Sequence, residues 1–429
     1  PLRRLSRTNS GPPLCPLPTA ACPARDRTRL SASDRRHRAW ICPLLLNIDD
    51  YRRAARRTLP GFVFDYVDGA ADDNQCLARN RRDLDAVTLV PRVLRDTRSV
   101  DTALDVFGTR WRFPFAIAPT GLNGLIRPGG DAALARAAAA MGVPFTQSTA
   151  SNQRLETVRQ AAPDNPHWLQ LYVMQDRAIA EQLVRRARQC GVQALVLTVD
   201  VPVSGNRERD ARNGFSLPLR PTAKLAWDLA SHPRWSLRMA RSGAPRFANL
   251  VEHPDTVLSA QAQAALLSRA MDRSLVWDSL QWLRSLWDGP LLLKGILHPQ
   301  DAARALQHGV DGLIVSNHGG RQLDAAPSAI SVLPAIVQAV QGQIPVFMDS
   351  GVRRGSDVAR ALALGARAVF IGRPVLYGLA TSGQAGAEAV MQILARELTL
   401  AMTLLGAGRL QDLVPQVDDS PAGADTHTQ

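Results

Sequence analysis

At 429 residues, with 45% apolar and 21% charged residues, the chain carries enough apolar material for one barrel-sized core or two smaller ones. No apolar run reaches the roughly 18 residues needed to span a bilayer, and no charged start leads into an uninterrupted apolar core, so neither a membrane span nor a secretory signal is expected. The net charge of +13 raises nucleic acid or an anionic surface as a partner, yet residues 1–45, with nine arginines and two aspartates, hold +7 of it and leave +6 on the other 384.

Of the 51 basic residues only Lys224 and Lys294 are lysines, so any retained lysine draws notice. The five cysteines, 15, 22, 42, 76 and 190, include no C-x-x-C pair. That argues against a disulfide framework or a zinc site and fits a reducing cytosol, and no metal is expected.

Residues 1–45 are rich in Arg, Pro, Ser and Thr, without apolar periodicity or an initiating Met. They are expected to be a disordered basic tail. Upstream sequence carried into the reading frame is one explanation of their composition, and a basic arm for membrane or nucleic acid is another. Residues 46–413 read as one folded unit, and 414–429 as a second disordered tail. Helices are predicted over 49–59, 61–67 and 74–84, and a hairpin over 104–113 around Gly108-Thr109.

From Phe115 an alternation sets in. Apolar runs at 115–118, 144–146, 168–173, 194–199, 291–293, 313–315, 345–348 and 368–371 read as strands. Helical patterns lie at 131–141, 153–161, 176–190, 276–287, 299–308, 328–341 and 356–364, with a last helix at 388–405. Asp131, Asp176 and Ser356 are expected N-caps, Pro299 suits a first helical position, and Gly142, Gly191, Gly309 and Gly365 fall where helices end. Eight strands alternating with eight helices predict an α/β fold, a (β/α)8 TIM barrel, behind an N-terminal helical segment. An open doubly wound sheet is the competitor, but its glycine fingerprint after the first strand is missing.

The fourth strand is followed by a long insertion, residues 204–274, too long for a structureless loop. It interleaves Leu225, Trp227, Leu229, Trp235, Leu237 and Met239 with Lys224, Arg234, Arg238, Arg241 and Arg246. That composition suits a membrane surface, and it equally suits a lid packed on the barrel mouth.

Barrel chemistry sits at the C-terminal ends of the strands. Reading those ends gives Pro119-Thr120-Gly121, Ser148, Gln170 with Tyr172, Thr198 with Asp200, Lys294, Ser316 with His318 and Arg321, Asp349-Ser350-Gly351 with Arg353, and Gly372-Arg373. Strands must meet water somewhere, so one polar end means little, whereas eight together point to a site. Residues 349–356 run into a predicted helix start, where backbone N–H groups favour an anion, and Arg373 adds a bidentate cation. His318 is the natural general base, Asp200 its orienting carboxylate, Lys294 a Schiff-base former or an anion's partner, and Arg207 with Arg321 a carboxylate fork. The nucleic-acid reading of the charge leaves these strand ends unexplained.

Residues 316–324, 349–355, 197–200, 293–295 and 170–172 together resemble the FMN-dependent 2-hydroxyacid dehydrogenase/oxidase family, and the likeness runs from about Ile48 to about Leu413. Residues 119–124, 148–152, 207–210 and 232–237 look like the bacterial membrane-associated (S)-mandelate dehydrogenases. Residues 287–290 and 383–386 lean towards L-lactate dehydrogenase. The resemblance implies oxidation of an (S)-2-hydroxy acid to the 2-oxo acid, with a mandelate-like substrate first, and with an L-lactate dehydrogenase (quinone or cytochrome acceptor) or a soluble oxidase using oxygen as the alternatives. His318 would take the hydroxyl proton while the α-hydrogen passes to the flavin, with Asp200 paired to His318. Arg207 and Arg321 would hold the carboxylate, and Tyr66 and Tyr172 would hydrogen-bond the substrate. Lys294 would lie near flavin N1. Pro119, Thr120, Gly121, Ser148, Gln170, Thr198 and Ser316 would bind the flavin, and Asp349, Gly351, Arg353, Gly372 and Arg373 would surround its phosphate. Gly121 replaces an alanine common in the oxidases, and Ala150 a bulky Trp of glycolate oxidase. Asn206 and Gly214 depart from the mandelate pattern. The resemblance further implies peripheral attachment to the cytoplasmic side of a bacterial inner membrane, a quinone acceptor and a homotetramer.

Overall fold

The computed structural model describes residues 44–213, 222–250 and 271–413. Nearly all of the basic N-terminal tail and the whole of 414–429 lie outside that description, as do 214–221 and 251–270 of the insertion.

Three helices open the described chain. Ile48–Thr58 starts from a capping box between Asn47 and Asp50, and Gly61–Asp68 and Gln75–Ala86 follow. Asp68, at the end of the second helix, accepts from Arg52 at 2.6 and 2.8 Å and from the Tyr377 hydroxyl at 2.8 Å. Because Tyr377 belongs to the last third of the chain, this carboxylate pins the opening helices to the barrel.

Leu104–Val106 (β1) and Thr109–Trp111 (β2) form the predicted antiparallel hairpin. Eight parallel strands then close a barrel: Phe115–Ile117 (β3), Phe145–Ser148 (β4), His167–Leu171 (β5), Ala194–Thr198 (β6), Leu291–Ile296 (β7), Gly312–Val315 (β8), Val346–Met348 (β9) and Ala368–Ile371 (β10). β10 returns to β3, with Val369 opposite Phe115. The expected (β/α)8 TIM barrel is therefore the fold.

Alternate strand residues, among them Trp168, Leu292, Ile314, Phe347 and Phe370, fill the barrel's interior together with Leu104, Val106 and Trp111 of the hairpin. Trp111 stacks on Phe347, the second residue of β9, and meets Trp168, the second residue of β5, edge-on. The hairpin thus plugs the N-terminal end and leaves the C-terminal mouth for polar groups. The other strand faces pack against the helices in one continuous apolar cluster.

Helix starts follow local chemistry with instructive exceptions. The Asp176 side chain accepts from Ala178 N, and Pro299 opens its helix as expected. Asp131 does not cap: it lies inside helix Gly130–Met141, fully buried, accepting from Asn123 Nδ2 at 2.7 Å and Asn152 N at 3.1 Å. Ser356 is likewise inside Gly355–Ala363, whose carboxylate cap is Asp357. A helix at Arg373–Ser382, not foreseen, precedes the last described α-helix, Gln384–Leu404, and Gly383 turns between them at φ 66°.

The insertion carries short helices at Glu208–Arg212, Ala223–Ser231 and Pro233–Ser242. It has two aspects. Trp235 is 5% exposed, edge-on to Phe62, with its indole N–H donating to the Leu125 carbonyl at 2.9 Å. Trp227 and Leu237 are 77% and 53% exposed. No described helix is long and apolar enough to cross a membrane.

Candidate active site at the barrel mouth

The site is organised by the turn after β8. His318, Gly319 and Gly320 have φ of 57°, 66° and 76°, three left-handed residues in succession. Glycine takes this conformation freely, but histidine pays about 1–2 kcal/mol for it. The surroundings hold it there. His318 N donates to Ser316 Oγ at 3.0 Å, Gly319 N to Ser350 Oγ at 3.0 Å, and Gly320 N to Asn317 Oδ1 at 3.2 Å. The amides of Asn317 and Asn80 bond each other twice, at 2.9 and 2.7 Å. Asn80 was missed in the sequence, although an asparagine on the buried face of a helix is a signal in itself.

His318 Nδ1 lies 3.0 Å from Asp200 Oδ1, as expected. Asp200 can approach because Gly295, at the register shift in β7, has φ 112°, and a Cβ there would lie 2.6 Å from the Asp200 Cβ. Burial opposes ionisation of Asp200, but His318 and Lys294 outweigh it and hold its carboxyl below the usual range. A carboxylate depressed on folding stabilises above its unfolded pKa, about 4, and that contribution fades as pH falls through the folded value. Asp200→Asn is therefore expected to weaken the pH dependence of unfolding below about pH 4, measured by chemical denaturation; an unaltered acid limb would contradict the assignment.

Lys294 lies within β7, just before its register shift, among buried partners: its Nζ donates to Ser316 Oγ at 2.7 Å and lies 3.0 Å from Asp349 Oδ2. Burial lowers its pKa, but Asp349 and Asp200 more than reverse this, so it is held as an ammonium. Asp349 also accepts from Ser350 at 2.7 Å, and Ser350 has φ 76°. Sequence reading had placed Ser350 in the loop without giving it a part.

The arginines are held by backbone carbonyls. Arg321 Nη1 donates to Tyr66 O at 2.7 Å and Gly69 O at 3.0 Å, and its guanidinium sits 5.0 Å from the Tyr66 ring centroid. Arg373 donates to the carbonyls of Val67, Gly69 and Gly319 at 3.0, 2.7 and 2.9 Å. These acceptors are neutral, and the nearby carboxylates of Asp210 and Asp68 offset the charges of Arg321 and Arg373 only in part. Burial, with neighbouring cations, lowers Arg321 and brings Arg373 down to about 9, still protonated at neutral pH. Arg207 has the Asp210 carboxylate at 3.8 Å, and burial raises that carboxyl. Arg353 Nη1 donates to Val352 O at 2.8 Å.

One expectation about an anion nest fails. The amides of Arg353 and Arg354 donate to Asp357 Oδ2 at 2.8 and 2.9 Å, and Gly355 N to Glu397 Oε2 at 2.9 Å. That helix start is already met by the protein's own carboxylates. Arg354 pairs with Glu397 on the surface.

These groups converge on a cavity of about 480 Å³. Pro119, Thr120, Gly121 and Ser148 line one side, and Asp349, Gly351, Arg353, Gly372 and Arg373 another. Tyr66, Tyr172, Arg207, Lys294, His318 and Arg321 line the rest. Gln170, Ser316 and Asp200 stand just behind, bonded to Ser148, Lys294 and His318, and Thr198 pairs in register with Lys294. Burial and Asp200 raise the Tyr172 phenol, so it stays protonated. The insertion adds Phe247 and Met271 to the wall, which gives it the lid aspect. Gln170 Nε2 and Thr198 Oγ1 are buried without a partner among the described residues. Native interiors rarely leave such groups unmet.

A closed parallel barrel whose mouth gathers a His–Asp pair, a buried ammonium, two partly compensated guanidiniums and unmet polar atoms has the make-up of an enzyme site that takes an anionic ligand. The chain belongs to the FMN-dependent dehydrogenase family, whose model matches residues 55–419. It is 45% identical over 371 residues to (S)-mandelate dehydrogenase of Pseudomonas putida, covering 86% of this chain and 93% of that one. It is 42% identical over 365 residues to L-lactate dehydrogenase of Xanthomonas campestris pv. campestris (strain B100), covering 85% and 94%. A crystal structure of the monotopic membrane protein (S)-mandelate dehydrogenase superposes with a TM-score of 0.84 at 44% identity, covering 87% of this chain and 98% of that chain. A mandelate oxidase variant with (S)-mandelic acid gives 0.72 at 38% identity, covering 86% and 97%.

Proposed function

We propose that this chain oxidises an (S)-2-hydroxy acid to the 2-oxo acid with bound FMN, and that its preferred substrates are mandelate-like. The carrying observation is the 3.0 Å contact between His318 Nδ1 and Asp200, which leaves Nε2 to take the substrate hydroxyl proton. Asp200 orients the ring and favours the imidazolium that results. Arg321 and Arg207 clamp the carboxylate, which fixes the α-carbon for reaction. Tyr172 and Tyr66 hydrogen-bond the substrate.

The residues suit the cofactor. FMN supplies the two-electron acceptor. Gln170 Nε2 and Thr198 Oγ1 have unmet capacity that a flavin edge would satisfy, and Ser148, Ser316 and the 119–121 backbone flank them. Lys294 offers an ammonium to negative charge developing on the ring. Arg373 and Arg353, with Gly351 and Gly372 in the same cavity wall, suit the phosphate, and Asp349 holds Lys294.

Mandelate is favoured over L-lactate by the first relative's activity and by small Ala150 and Gly121 at the cavity wall. The L-lactate dehydrogenases keep lactate as the second reading. Anaerobic mixing with (S)-mandelate, L-lactate and glycolate is expected to bleach the flavin fastest with mandelate. Faster reduction by lactate would reverse the order, and purified protein without FMN would sink the reading.

Electrons are proposed to leave to a membrane quinone, with the protein bound peripherally at the cytoplasmic face of the inner membrane and assembled as a tetramer. Exposed Trp227 and Leu237 beside Arg234, Arg238 and Arg241 support the membrane part. Burial of such a side chain contributes about 1.5–3 kcal/mol, so Trp227→Ala with Leu237→Ala is expected to lower binding to anionic vesicles at least about tenfold. Equal co-sedimentation of both forms would count against the insertion. A quinone analogue is expected to reoxidise the enzyme faster than oxygen, and light scattering would report the assembly.

A further inference from the structure

Two half-buried arginines share one acceptor. The Gly69 carbonyl accepts from Arg321 Nη1 at 3.0 Å and from Arg373 Nη2 at 2.7 Å. Arg321 also reaches Tyr66 O, and Arg373 reaches Val67 O. The carboxyl end of helix Gly61–Asp68 thereby presents three carbonyls to two guanidiniums, the end of a helix dipole that favours cations. A carbonyl oxygen has two lone pairs, so both bonds to Gly69 coexist. Displacing that oxygen moves both donors.

We propose that Gly69 is a positioning residue that couples the two arginines, so that binding of the flavin phosphate at one presets the other for the substrate carboxylate. This rests on the roles proposed above for Arg373 and Arg321. Space, not backbone preference, makes the position glycine. Its φ is −70°, which any residue adopts, but a Cβ would lie 2.6 Å from the Asp65 carbonyl and 3.5 Å from Arg209 Cδ. The same Asp65 carbonyl accepts the Gly69 N–H at 2.8 Å, so a side chain must break the cap or shift the peptide. Asp68, one residue earlier, is fixed by Arg52 and Tyr377, which leaves the Gly69 carbonyl to take up the movement. An anion that fixes Arg373 thus fixes the peptide that holds Arg321. This is a positive coupling, and reciprocity requires that a carboxylate at Arg321 also tighten the phosphate site.

The test uses the holoenzyme loaded with FMN or with riboflavin, which lacks the phosphate, and phenylglyoxylate as the carboxylate ligand, titrated by flavin absorbance. In the unsubstituted protein phenylglyoxylate is expected to bind about tenfold more tightly to the FMN form, on the scale of one charge-assisted hydrogen bond. In Gly69→Ala that difference is expected to vanish. FMN affinity should fall more than riboflavin affinity, and KM should rise while kcat stays within about threefold. Equal phenylglyoxylate affinity of the two flavin forms of the unsubstituted protein overturns the coupling, even if Gly69→Ala does not fold. A difference that persists in Gly69→Ala removes Gly69 from the role. A protein that neither retains FMN nor is reduced by hydroxy acids overturns the underlying assignment instead.

Discussion

His318→Gln is expected to retain FMN and to lose about 10²–10⁴-fold in the rate of anaerobic flavin reduction, the usual worth of a positioned general base. Glutamine offers an amide that Asp200 can accept from, so the carboxylate is not left without a donor. Substrate affinity should change little, because Arg321 is held by Tyr66 and Gly69 carbonyls rather than by the histidine. The loss should therefore fall on kcat rather than KM. Stopped-flow reduction with saturating substrate measures it directly. A reduction rate equal to that of the unsubstituted protein would remove His318 from the chemistry.

The second large effect is on stability. In Lys294→Met the apolar stem is kept and the ammonium removed, so Asp349, 3.0 Å from Nζ, loses its cation in a buried setting. Breaking one partner of a buried pair costs about 3–5 kcal/mol, more than the pair itself contributes, because the surviving charge is stranded. Asp200 also loses Lys294, one of the two groups that hold its carboxyl low. Lys294→Met is expected to unfold at markedly lower denaturant, and adding Asp349→Asn should recover part of the loss. A double variant no more stable than the single would show that the charge on Asp349 is not what suffers. Lys294→Arg should not substitute, since a planar fork cannot reproduce a compact ammonium's contacts with Ser316 and Asp349 together.

Much of this was legible before the fold. The eight strands announce themselves because parallel strands covered on both faces must be continuously apolar, as in Leu313–Val315, and the polar residue that ends each run is conspicuous. His318, Asp200 and Lys294 could be placed at one mouth because the barrel brings all strand ends to one face. What sequence could not supply was the destination of each polar group. Asp131 looks like a cap, yet its partners are Asn123, which opens the short helix Asn123–Ile126, and Asn152, in the loop after β4. The amides of residues 353–355 look like an anion nest, but Glu397, on the last helix, already occupies part of it. Arg373 reads as a phosphate ligand and nothing more, because its carbonyl partners at 67, 69 and 319 are distant in sequence. The helix at Arg373–Ser382 hid behind Gly372 and Pro374, which punctuate a chain as readily as they start a helix.

The pairing of Phe115 with Val369 sets an order on the protein's birth. β3 leaves the ribosome early, but its neighbour β10 is among the last strands made. Until then β3 keeps one open backbone edge in a nascent chain rich in apolar strands, the condition under which strands seek foreign partners. Chains that stop short of Ala368 are therefore expected to collect in inclusion bodies rather than as smaller soluble barrels. The last helix, Gln384–Leu404, packs across helices Gly355–Ala363 and Arg373–Ser382 and so seals the seam only after the ring is complete.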